Sequence, residues 1–218
     1  MKKILSISVL SFLTLLLSAQ TEPVDLGLSV QWGTCNIGAT SPQDVGNRYA
    51  WGETETKDMC SWADYRYCTD GKGKKFSKYV MKKRSGSKDG LATLELSDDA
   101  AHATLGGKWR MPTNEEVNEL RSLCRWVLED VDGVSGYRVY SENTGNSIFI
   151  PFTEEKFGDQ DDEGGVYWTS DLEAKGDVFR GSSKDAESFV LSRKFGVVSG
   201  SGSRFLTLPI RPVWDENL

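Results

Sequence analysis

Histidine is nearly missing from this chain: His102 is the only one in 218 residues. The four cysteines form no C-x-x-C pair, and with one imidazole available this argues against the common zinc frameworks. No Gly-x-Ser-x-Gly elbow and no phosphate-binding glycine loop occurs, so the best marked hydrolase and nucleotide-binding signatures are excluded. Linkers rich in Pro, Ser and Thr are absent, as are internal repeats, and one domain is expected after the N-terminal segment. Paired acids such as Asp98 and Asp99 exist, but carboxylates at a helix start answer the helix dipole and need no reaction to explain them. The chain is therefore expected not to be an enzyme and to need no cofactor.

One long apolar run is present. Ile4 to Ser18 follows the basic start Met1-Lys2-Lys3 and ends at small residues before Gln20. That is the three-part pattern of a cleavable signal peptide over 1–19, with Ala19 the last residue removed. A bilayer span needs roughly 18 or more apolar residues, more than this run supplies. No cysteine near Ala19 offers a lipid acceptor. The expectation is a secreted or cell-surface protein with no membrane span in residues 20–218. Removing Lys2 and Lys3 leaves 24 of the 26 basic residues against 32 acidic ones, a formal charge of −8. That balance argues against nucleic acid as a partner.

Cysteine usage leaves the pairing open, because four cysteines permit three connectivities. Cys60 and Cys68 flank an aromatic, polar stretch and can close a small loop in an oxidising compartment. Cys35 and Cys124 fit buried free thiols at least as well as a second bridge.

Along the chain, Leu26, Leu28, Val30 and Trp32 alternate with small or polar residues, the period of a half-buried strand. Residues 72–88 carry eight basic residues among glycines and serines and are expected to form an exposed insertion. Ser97 to Ala103 suggests a short helix capped by Ser97 and stopped at Gly106 or Gly107. Thr113-Asn114-Glu115-Glu116 is a capping box, followed at helical spacing by Val117, Leu120, Leu123, Cys124 and Val127. Short β-rich runs follow at 137–140, 147–152, 166–170, 188–191, 195–198 and 208–213. Two helices followed by many strands indicate α+β with an antiparallel sheet.

The segments LGLSVQWGTCNIGA (26–39), YAWGE (49–53), LELSDDAAHATLGGKWRMPTNEEVNEL (94–120), NSIFIPF (146–152), YWTSD (167–171) and IRPV (210–213) occur in this order. Together they resemble the exported Fibrobacter-type major paralogous domain family, a relative of the formylglycine-generating-enzyme and C-type-lectin-like folds. The resemblance implies a lectin-like fold across nearly all of 20–218, with first and last strands paired and a long, loop-rich C-terminal half. It also places Arg110 and Arg211 in the scaffold. The related oxidases use a cysteine pair late in the domain, and sulfoxide-forming relatives use a histidine-rich iron site. Here no cysteine follows Cys124, and His102 stands alone.

Three features are candidates for binding. Asp159, Asp161, Glu163 and Gly164 begin a calcium-loop pattern that fails at its twelfth place, Ser170, so calcium is at most an irregular ligand there. A solvated acidic turn is the competing reading. The basic cluster Lys74, Lys75, Lys78, Lys82, Lys83 and Arg84 suits a polyanion such as a sulfated glycan, or a solvated loop. Asp171, Phe179, Arg180, Arg193, Arg204 and Phe205 lie in the C-terminal segment that the resemblance makes a ligand face. The function expected is a non-enzymatic module binding a protein or glycan through C-terminal loops. Its alternatives are a degenerate enzyme of the formylglycine-generating type and a component of a surface assembly.

Overall fold

The computed structural model describes residues 21–57, 60–153, 155–156, 162–173 and 183–218. In chain order these form β1 (Pro23–Val24), β2 (Gln31–Gly33), β3 (Tyr49–Ala50), α1 (Ala100–Leu105), β4 (Trp109–Arg110), α2 (Asn114–Leu123), β5 (Arg125–Val131) and β6 (Val134–Tyr140). There follow β7 (Ser147–Pro151), β8 (Glu155–Lys156), β9 (Glu163–Leu172), β10 (Asp185–Ser192), β11 (Gly196–Ser203), β12 (Thr207–Leu208) and β13 (Val213–Trp214). Single 3-10 turns lie at Lys83–Ser85 and Leu96–Asp98. The architecture is α+β, and the strand pairs are antiparallel. The sheet orders are β1-β2-β13-β4, β11-β10-β9-β8, β5-β6-β7 and β12-β3.

The two ends of the described chain meet in one sheet. Val213 pairs with Trp32 on one side and with Arg110 on the other, so β13 lies between the WRMP segment and the N-terminal strand. Arg211 anchors this junction, with no carboxylate partner among the described residues. Fully buried, it donates from Nη1 to Gly33 O (2.9 Å) and Thr34 O (2.7 Å), from Nη2 to Phe149 O (2.9 Å) and from Nε to Asn36 Oδ1 (2.8 Å). These acceptors offset the cost of burying the charge and tie three segments together.

The α2 helix starts where its capping box predicts. Thr113 Oγ1 accepts from Glu116 N, and Glu116 Oε2 accepts from Thr113 N at 2.8 Å. Its end differs from expectation. Leu123 is exposed, Cys124 is already extended, and Val127 belongs to β5. The reason lies eight residues beyond Cys124, where Asp132 (φ 52°) and Gly133 (φ 83°) form a left-handed pair. That pair is the two-residue turn a tight hairpin demands, and it closes β5 onto β6.

The other departures have similar causes. The helix expected from Ser97 begins at Ala100, because Asp99 Oδ1 accepts from Ala101 N and His102 N and is the actual cap. Residues 26–30 keep the alternating burial of a strand, but only Gln31–Gly33 pair as one. Among the described residues of the C-terminal half, β9, β10 and β11 form an antiparallel sheet, with a register shift between Ala186 and Ser188, in which Phe189 and Leu191 enter the core. Cys35, Cys60, Cys68 and Cys124 are all free, so the loop between Cys60 and Cys68 is not closed by a disulfide.

Two apolar clusters fill the interior. One joins Leu26, Trp32, Val117, Leu120, Ile150, Tyr167 and Phe189. The other gathers Trp51, Tyr65, Tyr67, Phe76, Tyr79, Val80, Trp168 and Ile210. The second also anchors residues 72–88: many of their side chains are exposed, but Phe76, Tyr79 and Val80 are at most 3% exposed. Three apolar residues spaced along a cationic loop supply the burial that holds it down. No helix among the described residues is long and apolar enough to cross a membrane.

Candidate functional site

The anchored loop gathers cations from separate stretches of chain. Phe76 N donates to Ser85 O at 2.7 Å, and Lys75 Nζ donates to Arg84 O at 2.6 Å. Asp89 accepts from Tyr79 N (2.7 Å) and Val80 N (2.8 Å), which holds Tyr79 at φ 59°. Asp70 organises the start of the loop. Its carboxylate accepts from Lys72 N at 2.9 Å and Lys74 N at 3.3 Å, and the Lys72 amide leads in holding its carboxyl down at about 2. Gly73 presses against the Trp62 indole, where a Cβ would come within 2.4 Å of the ring. Met81 N donates to Ser183 Oγ at 2.9 Å and joins the loop to the segment entering β10.

The result is a cleft of about 360 Å³ lined by Gly73, Lys74, Phe76, Lys82, Arg84, Ser85, Ser183 and Lys184. Four of these are cations and none is a carboxylate. Lys184 Nζ also stands 5.7 Å from the Trp62 ring centre. Cations converging on a concavity at the surface of a net-acidic protein create a local field that favours an anion. Of the six residues expected to bind a polyanion, Lys74, Lys82 and Arg84 line the cleft directly. Lys75 braces it through Arg84, and Lys83 is exposed on the 3-10 turn beside it.

Lys78 is the exception. It forms ion pairs with Asp98 and Glu95, and its hydrogen bonds to them raise the ammonium's affinity for its proton against the opposing effect of burial. Burial pulls the Asp98 carboxyl upward, but Lys78 and Tyr79, whose Oη donates at 2.6 Å, outweigh it and hold it low. Lys78 is therefore committed to these two carboxylates.

The expected C-terminal ligand face fares differently. Arg204 is a correction: it is fully buried, with its guanidinium carbon 4.4 Å from the Phe76 ring centre, 5.2 Å from Tyr65 and 5.4 Å from Trp51. Aromatic faces attract the cation, and an arginine enclosed by them reaches no ligand. Phe205 packs edge-on against Trp62 at 4.8 Å. Asp171 serves the fold, accepting from Asn114 N at the start of α2 and from Thr93 Oγ1, both at 2.7 Å. Arg193 pairs with Glu163 at 2.9 Å on the surface. Phe179 and Arg180 lie outside the described residues, as do Asp159 and Asp161 of the calcium-loop pattern. Glu163 and Gly164 are taken into β9, and Ser170 is buried in the same strand. Among the described residues no three His, Cys, Asp or Glu side chains gather as a metal site.

His102 faces the scaffold, with Nδ1 3.1 Å from Trp109 O. Two further openings are present. One, of about 590 Å³, is largely aliphatic, with Val166, Val190, Leu206 and Leu208. The other, of about 410 Å³, mixes Glu53 and Glu55 with Lys57 and Arg66. Neither focuses one sign of charge as the basic cleft does. The role of Ser183 and Lys184 was missed in the sequence, because they lie about a hundred residues from the loop they complete. No protein-family model, curated protein or solved structure matches this chain.

Proposed function

We propose that this protein is an exported, non-enzymatic binding module of C-type-lectin-like fold that takes an acidic or sulfated glycan in the basic cleft. The observation that carries this reading is the convergence of Lys74, Lys82, Arg84 and Lys184 on one cavity. Exposed ammonium and guanidinium groups bind sulfate and carboxylate oxygens through charge-assisted hydrogen bonds, and several weak contacts add along a repeating polyanion. The lectin-like assignment draws on the ordered sequence motifs and on the pairing of Val213 with Trp32. Of the two surfaces expected from the sequence, this reading favours the basic cluster of the 72–88 loop over the C-terminal loops.

A glycan array, run in calcium and again in chelator, is the test, with heparin retention across a salt series as its quantitative arm. Sulfated or uronate-rich glycans are expected to bind in both buffers, since the cleft contains no carboxylate to hold calcium. The triple variant K74E/K82E/R84E is expected to elute from heparin at markedly lower salt than the parent. Each exposed charged contact contributes roughly 0.2–1 kcal/mol. Equal elution of parent and variant would remove the cleft from consideration. Conversion of a cysteine-containing peptide to formylglycine would replace the binding reading with an enzymatic one.

A further inference from the structure

We infer that the aliphatic opening on the β9-β10-β11 sheet is a second ligand site, for a small uncharged aliphatic molecule that carries one hydroxyl or carbonyl oxygen. Its floor is one face of that sheet. Val166 is the cross-strand partner of Val190, and Ser188 and Ala186 are the partners of Gly200 and Gly202, so alternation places all six on the same face. Its other wall is the segment that leaves β11. Leu206 N donates to Ser203 O at 2.8 Å, and Leu208 pairs with Tyr49, which brings both leucines to the cavity.

Glycine makes this face concave. A glycine inside a strand often marks a place where a ligand comes close to the backbone, and Gly200 and Gly202 both line the opening. A Cβ on Gly200 would stand 2.7 Å from Val190 Cγ2 and 3.0 Å from Ser188 Oγ, and one on Gly202 would stand 3.2 Å from Leu206 Cδ1. Side chains at these two positions would fill the hollow.

The Ser188 hydroxyl identifies the chemistry of the ligand. Ser188 is 1% exposed, and its Oγ has no hydrogen-bond partner among the described residues. The 3.0 Å to the empty Cβ position of Gly200 directs it into the hollow, at hydrogen-bond range of an atom placed there. A buried hydroxyl without a partner costs free energy, and a ligand oxygen would recover it. Around it the walls are aliphatic, from Val166, Val190, Leu206 and Leu208. No carboxylate lines the cavity, and its one cation, Arg48, donates from Nη2 to Thr153 O at 2.9 Å. Apolar walls around a single hydroxyl suit an uncharged molecule, because a charged head would lose its hydration there. The volume of about 590 Å³ falls within the roughly 300–1,000 Å³ of small-molecule sites.

The test is titration of the purified protein with n-hexanol and, separately, with hexanoate, followed by calorimetry and by backbone amide shifts. Saturable binding of n-hexanol is expected, with shifts concentrated at Val190, Gly200 and Gly202. Hexanoate is expected to bind more weakly. Ser188→Ala is expected to weaken n-hexanol roughly three- to tenfold, the worth of one hydrogen bond, while the unfolding midpoint of the unliganded variant is no lower than the parent's. A hydroxyl that only served the fold would lower that midpoint and leave the affinity unchanged. Gly202→Ala narrows the hollow against Leu206, a side chain 41% exposed that can give way, and is also expected to weaken binding. No saturable binding up to the solubility limit would overturn the inference. So would tighter binding of hexanoate, or equal n-hexanol affinity in the parent and both variants.

Discussion

Arg110 Nη2 stands 2.8 Å from Asp215 Oδ2, a contact that spans 105 residues of chain. The same guanidinium donates to Met111 O and to both oxygens of Glu116, the residue that closes the α2 capping box. The WRMPT segment is thus a clamp between the start of α2 and the C-terminal strand. Its conspicuous arginine holds the scaffold.

Replacing Arg110 with alanine leaves two largely buried carboxylates without their cation, and a loss of roughly 3 kcal/mol of folding stability is expected. Arg110→Lys keeps the charge but loses the planar fork, and is expected to recover only part of it. Urea unfolding of parent and variants measures both. A loss below about 1 kcal/mol for the alanine variant would mean the contacts are strained or solvent-screened.

Arg204 is predicted to be structural despite its place in the segment first expected to bind ligand. Arg204→Ala removes a fully buried side chain from between three aromatic rings and is expected to cost roughly 3 kcal/mol, mostly as a cavity. Arg204→Met fills much of that space and carries no buried charge, so it is expected to cost less. Thermal unfolding ranks the two. Heparin retention of the methionine variant should equal the parent's, and a large drop would return Arg204 to the ligand site.

The Asp98 network makes a pH prediction. Its carboxyl is held below the usual value of 3.8 in the folded protein, so its contribution is complete above that value and is lost as pH falls through the lower folded one. Lys78 has the opposite sign: its pKa is raised from 10.5, and its contribution fades only as pH rises beyond that range. Asp98→Asn is therefore expected to destabilise at neutral pH, by about 1.5–3 kcal/mol as a charged hydrogen-bonded group. Its penalty should shrink below pH 4. Guanidinium unfolding from pH 2.5 to 7 tests this, and a pH-independent penalty would rule out the ion pair as its cause.

Much of the local structure was legible in the sequence for identifiable reasons. The α2 start follows from four consecutive residues that satisfy one another, and most strands followed from β-rich runs bounded by turns. What was lost was competition between local signals. Leu123, Cys124 and Val127 continue the helical spacing, yet the Asp132-Gly133 turn draws 125–131 into a hairpin. A stricter reading of that dipeptide would have found it. The basic residues of 72–88 were visible, but their density hid the anchors Phe76, Tyr79 and Val80.

Sequence alone determined the class of this protein: α+β, with one histidine and a cationic loop on an acidic chain. Such properties depend on composition and on neighbours a few residues apart. Tertiary structure decided which charges are available for binding. Lys78 and Arg204 differ from Lys82 and Arg84 only in what lies around them. An acidic pair takes up the first, aromatic rings enclose the second, and Ser183 and Lys184, just ahead of β10, complete the cleft that the others line. Desolvation and pairing set the fate of a charge, and both arise from contacts between residues distant in the chain.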